Sequence, residues 1–378
     1  MIFLVLSLGS VLLWAIILCL PWRPWSVSEN LDVNYPHTVG PIDRITVLIP
    51  ARDEEQVIEN TLLALKSQGH DIQIIVIDDC SSDKTAEIAK RVIGTDGMVL
   101  TGRPLPKGWS GKLWALEQGL CLVKTPMVLL MDADIILKPG ILSQAQAFMK
   151  RKDLDFLSLM AELSMKNLPE RLFMPAFVYF FKLLYPFRLS NRPRHFVAAA
   201  AGGFILTKTK ALRRVKAFES IKDALIDDCS LAKKIKGAGF STWIGLSRWV
   251  LSSRRYPSLN DIWQMVERTA FTQLHYSWAL LLGTTVVMGI LFIWPVAGIL
   301  TLKTEVMMTC LAALTIMCIT YLPILRYYGL PVYLCLTLPP VALLYMAMTW
   351  SSSIGYLRGE GAKWKKRQYR WDTPNGTT

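Results

Sequence analysis

Four stretches without a single charged residue, one at the start of the chain and three near its end, limit what this sequence can fold into: Ile2 to Leu20, Tyr276 to Leu302, Val306 to Leu325 and Tyr327 to Leu357. A helix of about 20 apolar residues crosses about 30 Å of hydrocarbon, so each stretch is long enough to span a bilayer. The first reads as an anchor and not as a cleaved secretory signal. No Lys or Arg precedes its apolar core, and Trp22, Arg23, Pro24 and Trp25 follow where small residues would mark a cleavage site. Positive side chains favour the cytosolic side, and the first of them, Arg23, comes after the span, so the long middle of the chain is expected in the cytosol. Three further spans would then leave the tail outside. Yet Arg358 to Asp372 carries six basic residues against two acids, which the same rule places inside. Either one proline-rich segment re-enters without crossing or the tail breaks the rule; the first is preferred.

The chain is 52% hydrophobic and only 19% charged over 378 residues, which excludes disorder and leaves room for a full core without crosslinks. Its 42 Lys and Arg outnumber 29 acids, a formal charge of +13 that invites nucleic acid, anionic lipid or an anionic small substrate. No nucleic-acid recognition motif appears, and acids stand where phosphate backbones would have to lie, so no nucleic-acid partner is expected. The seven cysteines show no CxxC spacing, which argues against a disulfide framework or a zinc site. A transporter, the other use for several spans, usually keeps ionisable residues within them, and these spans have none.

Between about Arg44 and Gln273 the pattern changes. Short β-branched runs, Ile45–Ile49, Ile72–Ile77 and Met127–Met131, alternate with helical stretches beginning near Glu54, Lys84, Lys112 and Pro139. That order predicts an α/β domain with a mostly parallel sheet, and continuous apolar strands fit burial on both faces. Ligands in such sheets bind at the carboxyl ends of the strands. Acids follow each run: Asp53-Glu54-Glu55, Asp78-Asp79 and Asp132-Ala133-Asp134. Singly, each is as readily a helix cap or turn former. Asp132 and Asp134 are harder to dismiss, because residues two apart in an extended chain point the same way, and a hard divalent cation relieves the repulsion. Magnesium or manganese takes one or two such carboxylates plus phosphate oxygens. Gly108-Trp109-Ser110-Gly111-Lys112-Leu113 opens a helix whose amide hydrogens and lysine suit a phosphate, although Pro106 and Leu113 exclude a Walker loop. Asp227-Asp228-Cys229 begins another helix, either as its cap or with one aspartate as a general base.

Taken together, Val47–Glu55, Val76–Asp83, Gly111-Lys112, Met131–Asp134 and Ile226–Leu231 resemble family 2 glycosyltransferases, five motifs in the family's order across roughly residues 44 to 273. One anchor before the domain and several spans after it resemble the membrane-bound members, closest to the hopanoid-associated (hopene-associated) glycosyltransferases of bacteria. The resemblance implies a GT-A (nucleotide-diphospho-sugar transferase) fold over 44–273, between an anchor at 1–22 and membrane segments at 276–357, with a basic tail at 358–378. It implies an inverting, metal-dependent transfer from a nucleotide-sugar donor, most often a UDP-sugar, to a lipid acceptor in the bilayer such as a hopanoid, at the bacterial inner (cytoplasmic) membrane. A polysaccharide or polyprenyl-linked sugar synthase is the alternative, and a non-enzymatic membrane transporter or regulator lies further off. Carried over by position, Asp79 holds the base, with Pro50 and Glu54 shaping its pocket. Lys112 and Asp227 lie at the nucleotide-sugar, Asp132 and Asp134 bind ribose and Mg2+ or Mn2+, and Asp228 is the catalytic base. Asp227 stands where the family usually has Glu. Gln264 with Arg268 is the nearest approach to a Gln-x-x-Arg-Trp motif, one residue too long and without the Trp, which speaks against processive polymer synthesis.

The acceptor side has two weaker signals. Residues 168–187 are rich in Phe, Tyr, Leu and Met and suit either an interfacial helix or an ordinary core helix. Ala198 to Gly203, without a bulky side chain, is either a close-packed floor or a tight backbone crossing.

Overall fold

The apolar runs become strands buried on both sides, in a computed structural model that describes residues 1–32, 43–69, 71–359, 362–364 and 367–369. In chain order the strands are β1 (Ile45–Ala51), β2 (Ile72–Asp78), β3 (Gly97–Thr101), β4 (Met127–Met131), β5 (Ile135–Leu137), β6 (Phe156–Glu162), β7 (Phe204–Lys208) and β8 (Thr242–Ser252). They form one sheet in the order β3-β2-β1-β4-β7-β6-β8-β5. The half from β3 to β4 is parallel, β7 runs antiparallel to both β4 and β6, and β6 pairs parallel with β8. The sheet is thus mixed, with its first half as the alternation of strand and helix predicts.

Side chains alternate across the sheet plane, so successive residues enter different cores. Val47, Ile49, Ile74, Val76 and Leu129 pack with the helices Ile58–Lys66, Thr85–Ile93 and Ile141–Lys152. Leu48, Ile75, Ile77, Val128 and Leu130 pack on the other face with the helices Gly111–Leu120, Thr209–Arg214 and Asp227–Gly237. Helices on both faces leave the carboxyl edge of β1, β2 and β4 as the place where polar side chains gather.

The chain divides into two compact units: Ser28–Ser164 with Tyr185–Arg255, which holds the eight-stranded sheet, and Met1–Val27 with Met165–Leu184 and Tyr256–Thr378. Met165–Leu184 and 256–273, read from sequence as part of 44–273, group with the apolar helices. Among the described residues, four helices are long and apolar enough to cross a membrane: Ile2–Cys19, Trp278–Ile299, Thr304–Tyr327 and Val332–Leu357. The last opens with a 3-10 turn, Val332–Thr337, before its α-helical part. Proline leaves its mark in the second. Pro295 has no N–H for the carbonyl of Leu291, the helix widens to a π turn over Gly289–Ile293, and the indole Nε1 of Trp14 donates to that carbonyl at 2.9 Å. The helix Leu168–Leu184 packs within this unit: the Tyr345 hydroxyl donates to the Phe173 carbonyl at 2.9 Å, and the hydroxyls of Tyr179 and Thr320 meet at 2.9 Å. Of the basic tail, only the antiparallel strands Ala362–Trp364 and Arg367–Tyr369 fall among the described residues after Gly359.

Candidate active site

The acids singled out from sequence, with their neighbours, divide into two kinds. Asp53, Glu55 and Asp83 are structural, lacing the two loops together. Asp53 accepts from the Ser82 backbone N–H at 2.8 Å, Glu55 from the Lys84 N–H at 3.1 Å, and Asp83 from the N–H groups of Glu55 and Thr85 at 3.1 and 3.0 Å. Those bonds hold the Asp83 carboxyl below the usual carboxylate range despite burial, and they fit Asp53 and Glu55 as turn formers, while neither following helix has a side-chain cap bond. Asp53 and Cys80 take positive φ, 51° and 56°, where the two loops leave their strands. Asp79, 3% exposed, is tied in by its N–H to the Ala51 carbonyl at 2.8 Å. The guanidinium of Arg52 donates to its carbonyl at 2.6 Å and lies 3.8 Å from its carboxylate.

The second kind converge on one lysine. Ser110 caps the helix Gly111–Leu120 by accepting from the Leu113 N–H, which sets Lys112 in the first turn. Its Nζ lies 2.8 Å from Asp132 Oδ1 and 3.2 Å from Asp227 Oδ2. Asp228 completes the group: its Oδ2 accepts from the Gly202 N–H at 2.9 Å and its Oδ1 from the Cys229 N–H at 2.7 Å. The helix Asp227–Gly237 has Ile226 at its N-cap without a side-chain cap bond, so neither aspartate is the simple N-cap that the sequence also allowed. Gly202 closes the site from a third element, since a Cβ there would stand 3.2 Å from Lys112 Nζ and 3.6 Å from Asp228 Oδ2. The run from Ala198 is a close backbone crossing at this point.

Three carboxylates around one ammonium shift each other. Burial alone would lower Lys112, but Asp132, Asp227 and Asp228 outweigh it and hold the ammonium well above the usual lysine range. Burial pushes Asp132 up against the pull of Lys112, with Asp134 and Asp227 adding to the rise. Burial and the adjacent Asp227 carboxylate push Asp228 up to about 6, against Lys112 and the two backbone donors.

Asp134 has other partners. Asp132-Ala133-Asp134 leaves β4 in a turn. Asp134 Oδ2 accepts from the Ser252 hydroxyl at 2.8 Å and lies 3.4 Å from Arg254 Nε, whose guanidinium also meets Glu54 Oε1 at 3.2 Å. Among the described residues no three His, Cys, Asp or Glu gather as a metal cage. The donor set nevertheless fits a hard cation that draws most ligands from phosphate. Lys112 meets only one oxygen of Asp132, and Ser252 and Arg254 share one oxygen of Asp134. Two carboxylate oxygens in an acid-rich site thus carry no hydrogen bond among the described residues.

Pro50, Lys112, Asp132, Asp227 and Asp228 line one cavity of about 20 Å³, room for about one water, so a larger ligand would lie outside it. A larger groove of about 1060 Å³, beside Pro126 and Met127 where β4 begins, is at the opposite edge of the sheet and holds none of the predicted residues. Arg268 follows the helix Leu259–Glu267 in the other unit. Sequence reading missed Arg254, Ser252 and Gly202. The pair Arg254-Arg255, two residues past the end of the Thr242–Ser252 strand, was the available signal for the first.

Residues 46–219 match the family described as Glycosyl transferase family 2. The 4,4'-diaponeurosporenoate glycosyltransferase of Staphylococcus haemolyticus is 37% identical over 91 residues, 24% of this chain and 24% of that protein. The dodecaprenyl-phosphate galacturonate synthase of Rhizobium johnstonii is 26% identical over 117 residues, 30% of this chain and 34% of its own length. The chain thus spans a quarter to a third of these relatives. A mannosyltransferase from Pyrobaculum calidifontis, solved with GDP-Man and Mn2+, aligns over 93% of this chain and 95% of its own with a TM-score of 0.54 at 17% identity. That likeness shows the fold, GT-A.

Proposed function

We propose, from the match of residues 46–219 to glycosyl transferase family 2 on a GT-A fold, that this chain is a membrane-bound, inverting glycosyltransferase. It moves a sugar from a nucleotide-sugar, most often a UDP-sugar, to a hydroxyl of a membrane lipid at the cytosolic face of a bacterial inner membrane. The observation that carries the reading is the convergence of Lys112, Asp132, Asp227 and Asp228 at the carboxyl edge of the sheet, with Gly202 closing over them.

Asp228 takes the proton from the acceptor hydroxyl as its oxygen attacks the sugar carbon from the side opposite the leaving diphosphate. A carboxylate with a pKa of about 6 is a better general base near neutral pH than an ordinary aspartate at about 3.9, and it is still ionised there. The Gly202 and Cys229 N–H groups hold both its oxygens in place. Lys112 offers positive charge to the diphosphate, while Asp79, Pro50 and Glu54 shape the base pocket and Asp227 lies along the donor. Asp132 and Asp134 would hold Mg2+ or Mn2+, which stabilises the negative charge that builds on the leaving diphosphate. The Mn2+ in the mannosyltransferase supports the use of a divalent metal.

For the acceptor, the four long apolar helices support a lipid, with a hopanoid-type terpenoid proposed from the resemblance. A polyprenyl phosphate is the second reading, favoured by the relative named for dodecaprenyl phosphate. Mass spectrometry of lipids from cells with and without the chain decides: a glycosylated lipid that disappears with the chain is the product, and a missing polar product instead would overturn the lipid acceptor.

Two outcomes follow for the rate. Protonation of Asp228 removes the base, so kcat/KM should fall about tenfold per pH unit below about 6 and level off above it. A profile still flat at pH 4.5 would remove Asp228 from the proton transfer. Gly202→Ala places a methyl group where Lys112 must give way, and a misplacement well below 1 Å should lower kcat about tenfold while the thermal midpoint stays put.

A further inference from the structure

The loop that leads into the Ala198–Gly203 crossing presents an apolar tip on a tightly built base. Phe196 is 85% exposed, with Arg192, Pro193 and Arg194 exposed before it, and residues 191–203 contain no acid. A lone exposed phenylalanine is ordinary in itself. This one is held out by its surroundings. At the start of the loop, Asn191 donates to the Ile244 carbonyl at 3.0 Å and accepts from the Ile244 N–H at 2.7 Å, and Ser190 Oγ accepts from the Ala199 N–H at 2.9 Å. Lys236 then ties start to finish, donating to the Ser190 carbonyl at 2.6 Å and the Val197 carbonyl at 2.7 Å. Burial disfavours the charged ammonium and lowers Lys236 to about 8. At the tip, Arg194 takes φ 62°, His195 stacks on Phe196 with ring centroids 4.6 Å apart, and the Val197 N–H donates to His195 Nδ1 at 3.2 Å.

A loop that orders its backbone in order to expose an aromatic ring between arginines has the chemistry of a membrane interface. The ring enters the headgroup boundary, and the guanidiniums meet lipid phosphates. The chain supplies the membrane context, since it has four helices long enough to cross a bilayer and the helix Leu168–Leu184, grouped with them, ends only seven residues before Asn191. We propose that the Arg192–Phe196 loop docks into the anionic headgroup layer of the bilayer, with Phe196 as its wedge and Arg192 and Arg194 as its phosphate contacts. Gly202, six residues past the wedge, binds Asp228, so the docked loop ties the proposed base to the surface from which a lipid acceptor arrives. The docking itself does not depend on the proposed reaction.

The test needs no sugar transfer. In the full chain with the exposed Cys19, Cys80 and Cys121 changed to serine, Phe196→Cys is labelled with an environment-sensitive fluorophore. The protein is then placed in nanodiscs of phosphatidylglycerol or of phosphatidylcholine, with spin-labelled headgroup lipids as quenchers. The expected result is a blue-shifted label, quenched at least threefold more in phosphatidylglycerol. The excess should vanish when Arg192→Glu and Arg194→Glu are added, and a label at Glu219→Cys should stay unquenched. A Phe196 label that remains in water in both lipids overturns the proposal. So does quenching that ignores the arginine reversals, or quenching as strong at Glu219. If docking holds while no donor is ever turned over, the proposed reaction fails and the docking site stands.

Discussion

Asp228→Asn is expected to lower kcat by about 10³-fold with the fold intact. General base catalysis contributes about 10² to 10⁴, and the amide cannot accept the proton. The change is nearly isosteric. Asparagine keeps one carbonyl oxygen to accept from Gly202 or Cys229, so the loss should fall on the chemical step and not on donor binding. Single-turnover rates with saturating donor, beside the dissociation constant for the nucleotide, separate the two. A variant that transfers at the wild-type rate would take the base assignment down, and one that loses nucleotide binding in proportion would make Asp228 a binding residue.

Lys112→Met should cost about 100-fold in kcat/KM, the scale of a lost charge donor to a developing anion. It also leaves Asp132, Asp227 and Asp228 crowded without their ammonium. Lys112 is among the groups that pull Asp228 down, so its removal should move the acid limb of the pH profile upward from about 6. A structural role alone would lower stability without moving that limb. The pH dependence of kcat/KM for wild type and variant is therefore the discriminating measurement, and an unshifted limb would uncouple the lysine from the base.

The residues that reached the site from sequence alone did so through local pattern. Short, mostly apolar runs marked β1, β2 and β4, the carboxyl-edge rule singled out the acids beyond them, and the glycine and lysine at a helix start marked Lys112. Each of these is written within about ten consecutive residues. What sequence did not yield was contact between distant segments. The partners of Asp134 lie far along the chain: Ser252 donates to it, and Arg254 lies between it and Glu54. Gly202 could not be assigned to Asp228 without knowing that β7 lies beside β4, which brings the preceding segment back over the strand end. The same holds for Lys236, which reads as an ordinary last-turn lysine until its two carbonyl partners are seen.

The central claim is that this acid-and-lysine cluster handles an activated sugar. It is tested most directly by incubating the full chain, in membranes, with a panel of radiolabelled nucleotide-sugars and Mg2+ or Mn2+, then counting label in the organic extract. The account predicts lipid-borne label from at least one donor, abolished by chelator and by Asp228→Asn. Equal label from the wild type and from Asp132→Ala and Asp228→Asn variants, with or without the metal, would contradict it.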